Sequence, residues 1–86
     1  MSATVRSARE AATFRPERFN PVPVAENERA RMLVVCFEPG QFIPVHRPSV
    51  DLSLVVLEGE GLLVADGRED PVAPGTVAFV PAGEMR

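Results

Sequence analysis

The chain has 86 residues, of which 45% are apolar, and a formal net charge of −3 that comes from nine arginines and twelve acidic residues. This length allows one small domain, and a mildly acidic chain with dispersed arginines has no electrostatic basis for binding nucleic acid. The longest apolar runs, residues 32–37 and 52–57, are too short to span a membrane, and residues 1–10 lack the apolar stretch of a secretory signal. Because these apolar runs are short, we expect no membrane association. A single cysteine excludes an internal disulfide, so we expect a cytoplasmic protein.

The N-terminal region is predicted to lie outside the main sheet. Ser7 and Glu10 have the spacing of a capping box, which would support one or two helical turns, although a polar terminus of this kind is commonly mobile and we expect a tail. Residues 14–24 contain three prolines, which donate no ladder hydrogen bonds, so this segment is predicted to be an extended arm or an edge strand.

From residue 31 onward, short apolar runs alternate with turn residues. The predicted strands are residues 31–38, 41–46, 52–57, 62–65, 70–73 and 76–80. The dipeptides Pro39-Gly40, Asp66-Gly67 and Pro74-Gly75 mark turns, and Asp-Gly is a strong signal for a two-residue hairpin. Cys36 lies within an apolar run and is predicted to be a buried core residue. Closely spaced short strands without a helical period indicate an all-β sandwich or barrel.

Two segments resemble the sequence motifs of the cupins, which are small antiparallel barrels. The matching residues are Gly40, His46 and Gly59 in the first motif and Gly75, Pro81 and Gly83 in the second. The resemblance implies an all-β double-stranded β-helix, or jelly-roll barrel, at residues 25–86, preceded by an N-terminal tail and extended arm at residues 1–24. Because the second motif reaches the last residue, we expect that the natural chain continues or that a neighbouring chain covers the open sheet edge.

The resemblance also implies four metal-ligand positions, two in the first strand of the motif, one on the next strand and one in the second motif. These positions are occupied by His46, Pro48, Leu52 and Arg86, so only one of the four side chains is a metal ligand. A permanent positive charge on Arg86 would also repel a cation. We therefore predict no metal or other cofactor, with His46 as a weak metal candidate. A divalent transition metal stays open as an alternative if other residues complete the site.

The predicted ligand pocket combines an apolar strand face with a polar rim. Strand alternation places Leu52, Leu54 and Val56 on one face, and the polar candidates are His46, Asp51 and Arg86. His46 could be a histidine bonded to the backbone or an acid–base group, since imidazole exchanges a proton near neutral pH. Arg86 could point inward and bind an anion, or lie in solvent. No catalytic residue is identified.

Three functions are consistent with these features. The first is a metal-free domain that binds a small organic or sugar-like ligand as a sensor, carrier or accessory protein. The second, by analogy with the cupins, is an enzyme, either isomerase- or epimerase-like or a metal-dependent dioxygenase, decarboxylase or lyase; whether the chain is an enzyme is left open. The third is an interaction module. We also expect a homodimer, formed by sheet packing or by exchange of the N-terminal arm.

Overall fold

The computed structural model describes residues 3–86 and places them in two compact units, of which the first ends at Ile43 and the second is Pro44–Arg86. In chain order the elements are α1 (Ala8–Ala11), β1 (Asn20–Glu26), β2 (Arg31–Cys36), β3 (Leu52–Val55), β4 (Gly61–Ala65), β5 (Arg68–Val72) and β6 (Val77–Val80). Within the described residues the strands form three antiparallel pairs, β1–β2, β3–β6 and β4–β5. The predicted all-β antiparallel class is confirmed.

The capping signal near the N-terminus produces a short helix. The Ser7 hydroxyl accepts a hydrogen bond from the Glu10 amide at 3.2 Å, and Ala11 at the end of α1 is buried. The helical alternative is therefore the one found at residues 8–11, where a tail was expected. No helix of residues 3–86 is long and apolar enough to cross a membrane.

Part of the proline-containing segment 14–24 is an edge strand, one of its two predicted forms, because β1 begins at Asn20 and residues 14–19 are not in a strand. β1 pairs with β2 from Asn20 opposite Cys36 to Glu26 opposite Arg31, and the register shifts between Pro23 and Ala25. A bulge is a common place for proline, because a residue there need not donate to the ladder. Cys36 is only 3% exposed, which confirms its predicted burial.

The strand predicted at residues 41–46 is wrong. This segment lies between β2 and β3 without regular strand structure. Its alternating apolar residues are interrupted by Pro44, which has no amide hydrogen to donate to a ladder. Gln41 is instead fixed by side-chain hydrogen bonds, accepting from the Glu38 amide at 2.8 Å and donating to the Arg15 carbonyl at 2.7 Å.

The second unit consists of a hairpin nested between two paired strands. β4 and β5 are joined by Asp66 and Gly67, whose φ angles are 53° and 71°, and Ala65 pairs with Arg68 across this two-residue turn. Two consecutive positive φ angles are the requirement that makes Asp-Gly favourable, so the predicted hairpin is confirmed. β3 and β6, on either side of the hairpin in sequence, pair with each other. Nested antiparallel pairs of this kind are typical of jelly rolls.

The two faces of the β3–β6 pair differ in burial, since one is buried or half-buried and the other is exposed. Leu52 pairs with Val80 and Leu54 with Ala78, and these four side chains are buried or half-buried. The opposite face carries Ser53 opposite Phe79 and Val55 opposite Val77, all of them exposed. The alternation follows from the two-residue period of a strand. The more buried face is the one that carries two of the predicted pocket residues.

Candidate ligand-binding site

The loop before β3 lies beside the chain after β6 and extends the pairing of those strands. The His46 amide donates to the Arg86 carbonyl at 2.7 Å, and the Arg86 amide donates back to the His46 carbonyl at 2.8 Å. Closer to the strands, the Gly83 amide donates to the Pro48 carbonyl at 2.8 Å. The two ends of the resembling motifs are therefore adjacent, as the alignment with the cupin motifs implies.

Asp51 also belongs to this corner of the unit. Its Oδ1 atom accepts a hydrogen bond from the Ala82 amide at 2.8 Å. Of the six predicted pocket residues, the structure thus places the three polar ones, His46, Asp51 and Arg86, on the adjacent segments 46–51 and 82–86. We refer to these three residues as the polar corner.

His46 is exposed, and its ring is held by the backbone. Nδ1 lies 3.1 Å from the Pro44 carbonyl oxygen. A carbonyl oxygen can only accept, so this contact requires the proton on Nδ1 and leaves Nε2 of the neutral ring as an acceptor. His46 therefore makes the hydrogen bond to the backbone that was one of its two predicted roles. Its Nε2 atom stays available to a ligand or a proton, as the other role requires.

The Arg86 side chain is half-buried and bonded to main-chain carbonyls on two segments. Its Nη1 atom donates to the Val50 carbonyl at 2.9 Å and to the Val80 carbonyl at 3.4 Å. The guanidinium group therefore fastens the loop before β3 to the end of β6. Because an arginine has five N–H donors, some of them stay available to a ligand after these two contacts.

The three apolar candidates lie on one face, as predicted. Leu52, Leu54 and Val56 are all half-buried, and the Val56 amide continues the ladder by donating to the Thr76 carbonyl at 2.9 Å. They form the inner face of β3 beside the polar corner. The assignment of the six residues to a ligand pocket stays a prediction.

The polar corner does not fit a metal ion. Of the four ligand positions of the motif, only the one at His46 carries a side chain that binds metals. The Asp51 carboxylate already accepts a hydrogen bond from the Ala82 amide. Within residues 3–86, no three His, Cys, Asp or Glu side chains are placed so that they could hold a metal ion together. No chemical step through a metal is therefore derived for this chain.

The second unit also contains a groove that the sequence did not reveal. It has a volume of about 430 Å³ and lies between β6 and the face of the β4–β5 hairpin that carries Leu63, Ala65 and Val72. The other residues lining it are Asp66, Arg68, Asp70, Pro71, Thr76, Val77, Ala78, Phe79, Val80, Pro81 and Glu84. None of the six predicted pocket residues lines the groove. Val80 connects the two regions, because it lines the groove and its carbonyl accepts a hydrogen bond from the Arg86 guanidinium.

The groove combines apolar walls with charged groups at its rim. Arg68 and Asp70 form an ion pair, with Nη2 of one 3.3 Å from Oδ2 of the other. They share a face with Leu63 and Ala65 because Leu63 pairs with Asp70 and Ala65 pairs with Arg68. This register was a signal that could have located one wall of the groove, since alternation across the Asp66-Gly67 turn assigns these residues to one side.

A comparison of the sequence with models of known protein families identifies one family that matches the chain. The model of the cupin domain family matches residues 26–85, which is most of the chain. The chain therefore belongs to the cupin domain family, and the resemblance drawn from the two motifs is confirmed.

One curated protein is similar to the chain over part of its sequence. It is the endoribonuclease YbeY of Myxococcus xanthus (strain DK1622), 31% identical over 70 residues that make up 81% of this chain and 24% of that protein. The chain thus spans about a quarter of the length of this relative. No solved structure matches the chain.

Proposed function

We propose that this chain is a cupin domain that binds a small organic or sugar-like molecule in its second unit without using a metal. The observation that carries the proposal is the groove of about 430 Å³, with apolar walls and a few charged groups. Small-molecule sites are typically clefts of about 300–1,000 Å³ with this mixture of surfaces.

The polar corner supplies hydrogen-bonding groups beside the groove. Arg86 contacts Val80, which lines the groove, and His46 keeps Nε2 as an acceptor. A ligand that reached from the groove to this corner could be fixed in orientation by these groups. The metal-free character is proposed because proline, leucine and arginine occupy three of the four ligand positions of the motif.

The role proposed for the domain is that of a sensor, carrier or accessory protein in the cytoplasm. The Myxococcus relative supports an accessory role, since there a segment similar to this chain is about a quarter of a longer protein. The endoribonuclease activity in the name of that protein is not carried over to this chain, because most of its length has no counterpart here.

An isomerase- or epimerase-like enzyme is the alternative, and the polar corner is the observation that favours it. His46 and Asp51 both lie there, and an imidazole with a free Nε2 can act as a general acid or base. In this alternative His46 would exchange the proton, and Arg86 would bind an anionic group of the substrate.

A filled groove tests the binding proposal. Replacing Ala65 with Phe places a ring in the groove, whereas Val64→Phe changes the neighbouring residue on the opposite face of β4. We expect several members of a library of small sugars, acids, amines and aromatic alcohols to raise the melting temperature of the unaltered protein. Ala65→Phe should abolish these shifts and Val64→Phe should retain them.

The proposal fails if no compound raises the melting temperature of the unaltered protein at millimolar concentration. It also fails if the shifts persist unchanged in Ala65→Phe while circular dichroism shows that this variant is folded. Persistence in Ala65→Phe together with loss in a His46→Ala variant would move the site to the polar corner and favour the enzyme alternative.

A further inference from the structure

We infer that the groove selects an organic cation, that is, an amine, guanidine or quaternary ammonium group attached to a small apolar body. The inference rests on the proposed function, because it names the class of ligand for the same groove. It follows from the charges at the rim, the charge of the surrounding unit and the apolar walls.

The charged side chains of the groove leave an excess of carboxylate. Three acids and one arginine line it, and the arginine, Arg68, is paired with Asp70 at 3.3 Å. Asp66 and Glu84 have no side-chain hydrogen bond or ion pair with another residue of the described chain. Two acidic residues without a counter-charge thus line the groove, and an ammonium or guanidinium group would supply that charge.

The unit around the groove has the same sign of charge. Residues 44–86 contain three arginines and seven acidic residues, which gives a formal charge of −4. Of these arginines, Arg68 is paired with Asp70, Arg86 donates to two backbone carbonyls, and Arg47 does not line the groove. A field of one sign around a cleft concentrates ligands of the opposite sign.

The walls require an apolar body as well as a charge. Leu63 and Val72 from the hairpin line the groove together with Ala78 and Val80 from β6. Burying these side chains against an apolar ligand is favourable in proportion to the area removed from water. A bare metal ion or a polyamine without an apolar part would leave these walls uncovered.

The experiment compares three molecules of nearly equal shape and different charge. Benzylamine is a cation at pH 7, benzyl alcohol is neutral and benzoate is an anion. Binding of each to the 86-residue protein is measured by NMR titration at low ionic strength. We expect benzylamine to bind about fivefold more tightly than benzyl alcohol, which is the range of a partly exposed charge pair, and benzoate to bind most weakly. Added salt should reduce the benzylamine preference.

A matched pair of variants assigns the preference to the groove. Glu84→Gln removes a carboxylate that lines the groove, and Glu69→Gln removes one from the other face of β5, where Glu69 pairs with Val64. Glu84→Gln should lower the benzylamine affinity several-fold and leave benzyl alcohol unchanged, whereas Glu69→Gln should change neither.

The outcomes separate this inference from the function on which it rests. Equal affinity for the three molecules, or tighter binding of benzoate, would overturn the cation preference while leaving a ligand-binding groove. Equal effects of Glu84→Gln and Glu69→Gln would also overturn it, because the preference would then come from the overall charge. Failure of all three molecules to bind at millimolar concentration would count against both.

Discussion

Arg86 joins three parts of the second unit through its backbone and its side chain. Its backbone exchanges two hydrogen bonds with His46, and its guanidinium group donates to the carbonyls of Val50 and Val80. In the cupin motif this position would carry a metal-binding histidine. In this chain the same position holds the loop and β6 together, which is a structural use of a site where only His46 remains of the four metal ligands of the motif.

Replacing Arg86 with Met should destabilise the protein by about 1–2 kcal/mol. The substitution keeps the length of the side chain but removes the donors to two carbonyls, and a hydrogen bond to a charged group contributes about 1.5–3 kcal/mol before solvent exposure is taken into account. The measurement is the free energy of unfolding in urea. Arg47→Met is the control, because Arg47 is exposed and makes no side-chain contact of this kind within residues 3–86. Equal losses in both variants would contradict this role of Arg86.

The β4–β5 hairpin shows how a local signal fixes an element and, through it, one wall of the groove. Asp66 and Gly67 both adopt positive φ, which sets a two-residue turn and the pairing of Ala65 with Arg68. From that pairing the strand period assigns Leu63, Ala65, Arg68 and Asp70 to one face. A change in the turn should therefore alter stability and groove geometry together.

Gly67→Ala should destabilise the hairpin by about 1–2 kcal/mol, because an alanine at a φ of 71° is strained even where its Cβ meets no other atom. Gly61→Ala is the matched control, since Gly61 begins β4, has no positive φ and also has open space at its Cβ. We expect that control to be neutral or slightly stabilising. Thermal unfolding of the two variants measures the difference, and a larger loss for Gly61→Ala would contradict the turn assignment.

At the scale of the whole molecule, the exposed face of the β3–β6 pair supports the predicted homodimer. Val55, Val77 and Phe79 on this face are 54%, 73% and 62% exposed, and no charged residue interrupts them within the pair. An apolar surface without charges is typical of an interaction site, and a second copy would present the same uncharged face.

The homodimer is tested by light scattering coupled to size-exclusion chromatography. We expect a mass of two chains at micromolar concentration and a shift towards one chain in Val55→Lys, because burying an unpaired ammonium in an apolar interface is unfavourable. Leu62→Lys is the control, since Leu62 is exposed on a different strand pair. A single chain for the unaltered protein, or an equal shift in both variants, would exclude this interface.

Several features of this protein follow from residues that are close together in the chain. Asp66-Gly67 specified the hairpin, and the prolines of β1 limited that strand to an edge. The spacing of Ser7 and Glu10 offered a helix at the start of α1, but the expectation for that segment was a tail. The two motifs identified the family. The hairpin and the edge strand could be predicted because backbone conformation and strand period are set within a few residues.

Which distant residues share a surface depends on how the strands pack and could not be predicted from neighbouring residues. Alternation suggested a strand at residues 41–46, but a strand needs a ladder partner and Pro44 interrupts it. The carbonyls bound by Arg86 and the groove between β6 and the hairpin arise from segments far apart in the chain. The positions of these carbonyls and of the groove depend on packing and register between strands, which cannot be predicted from the order of residues along the chain.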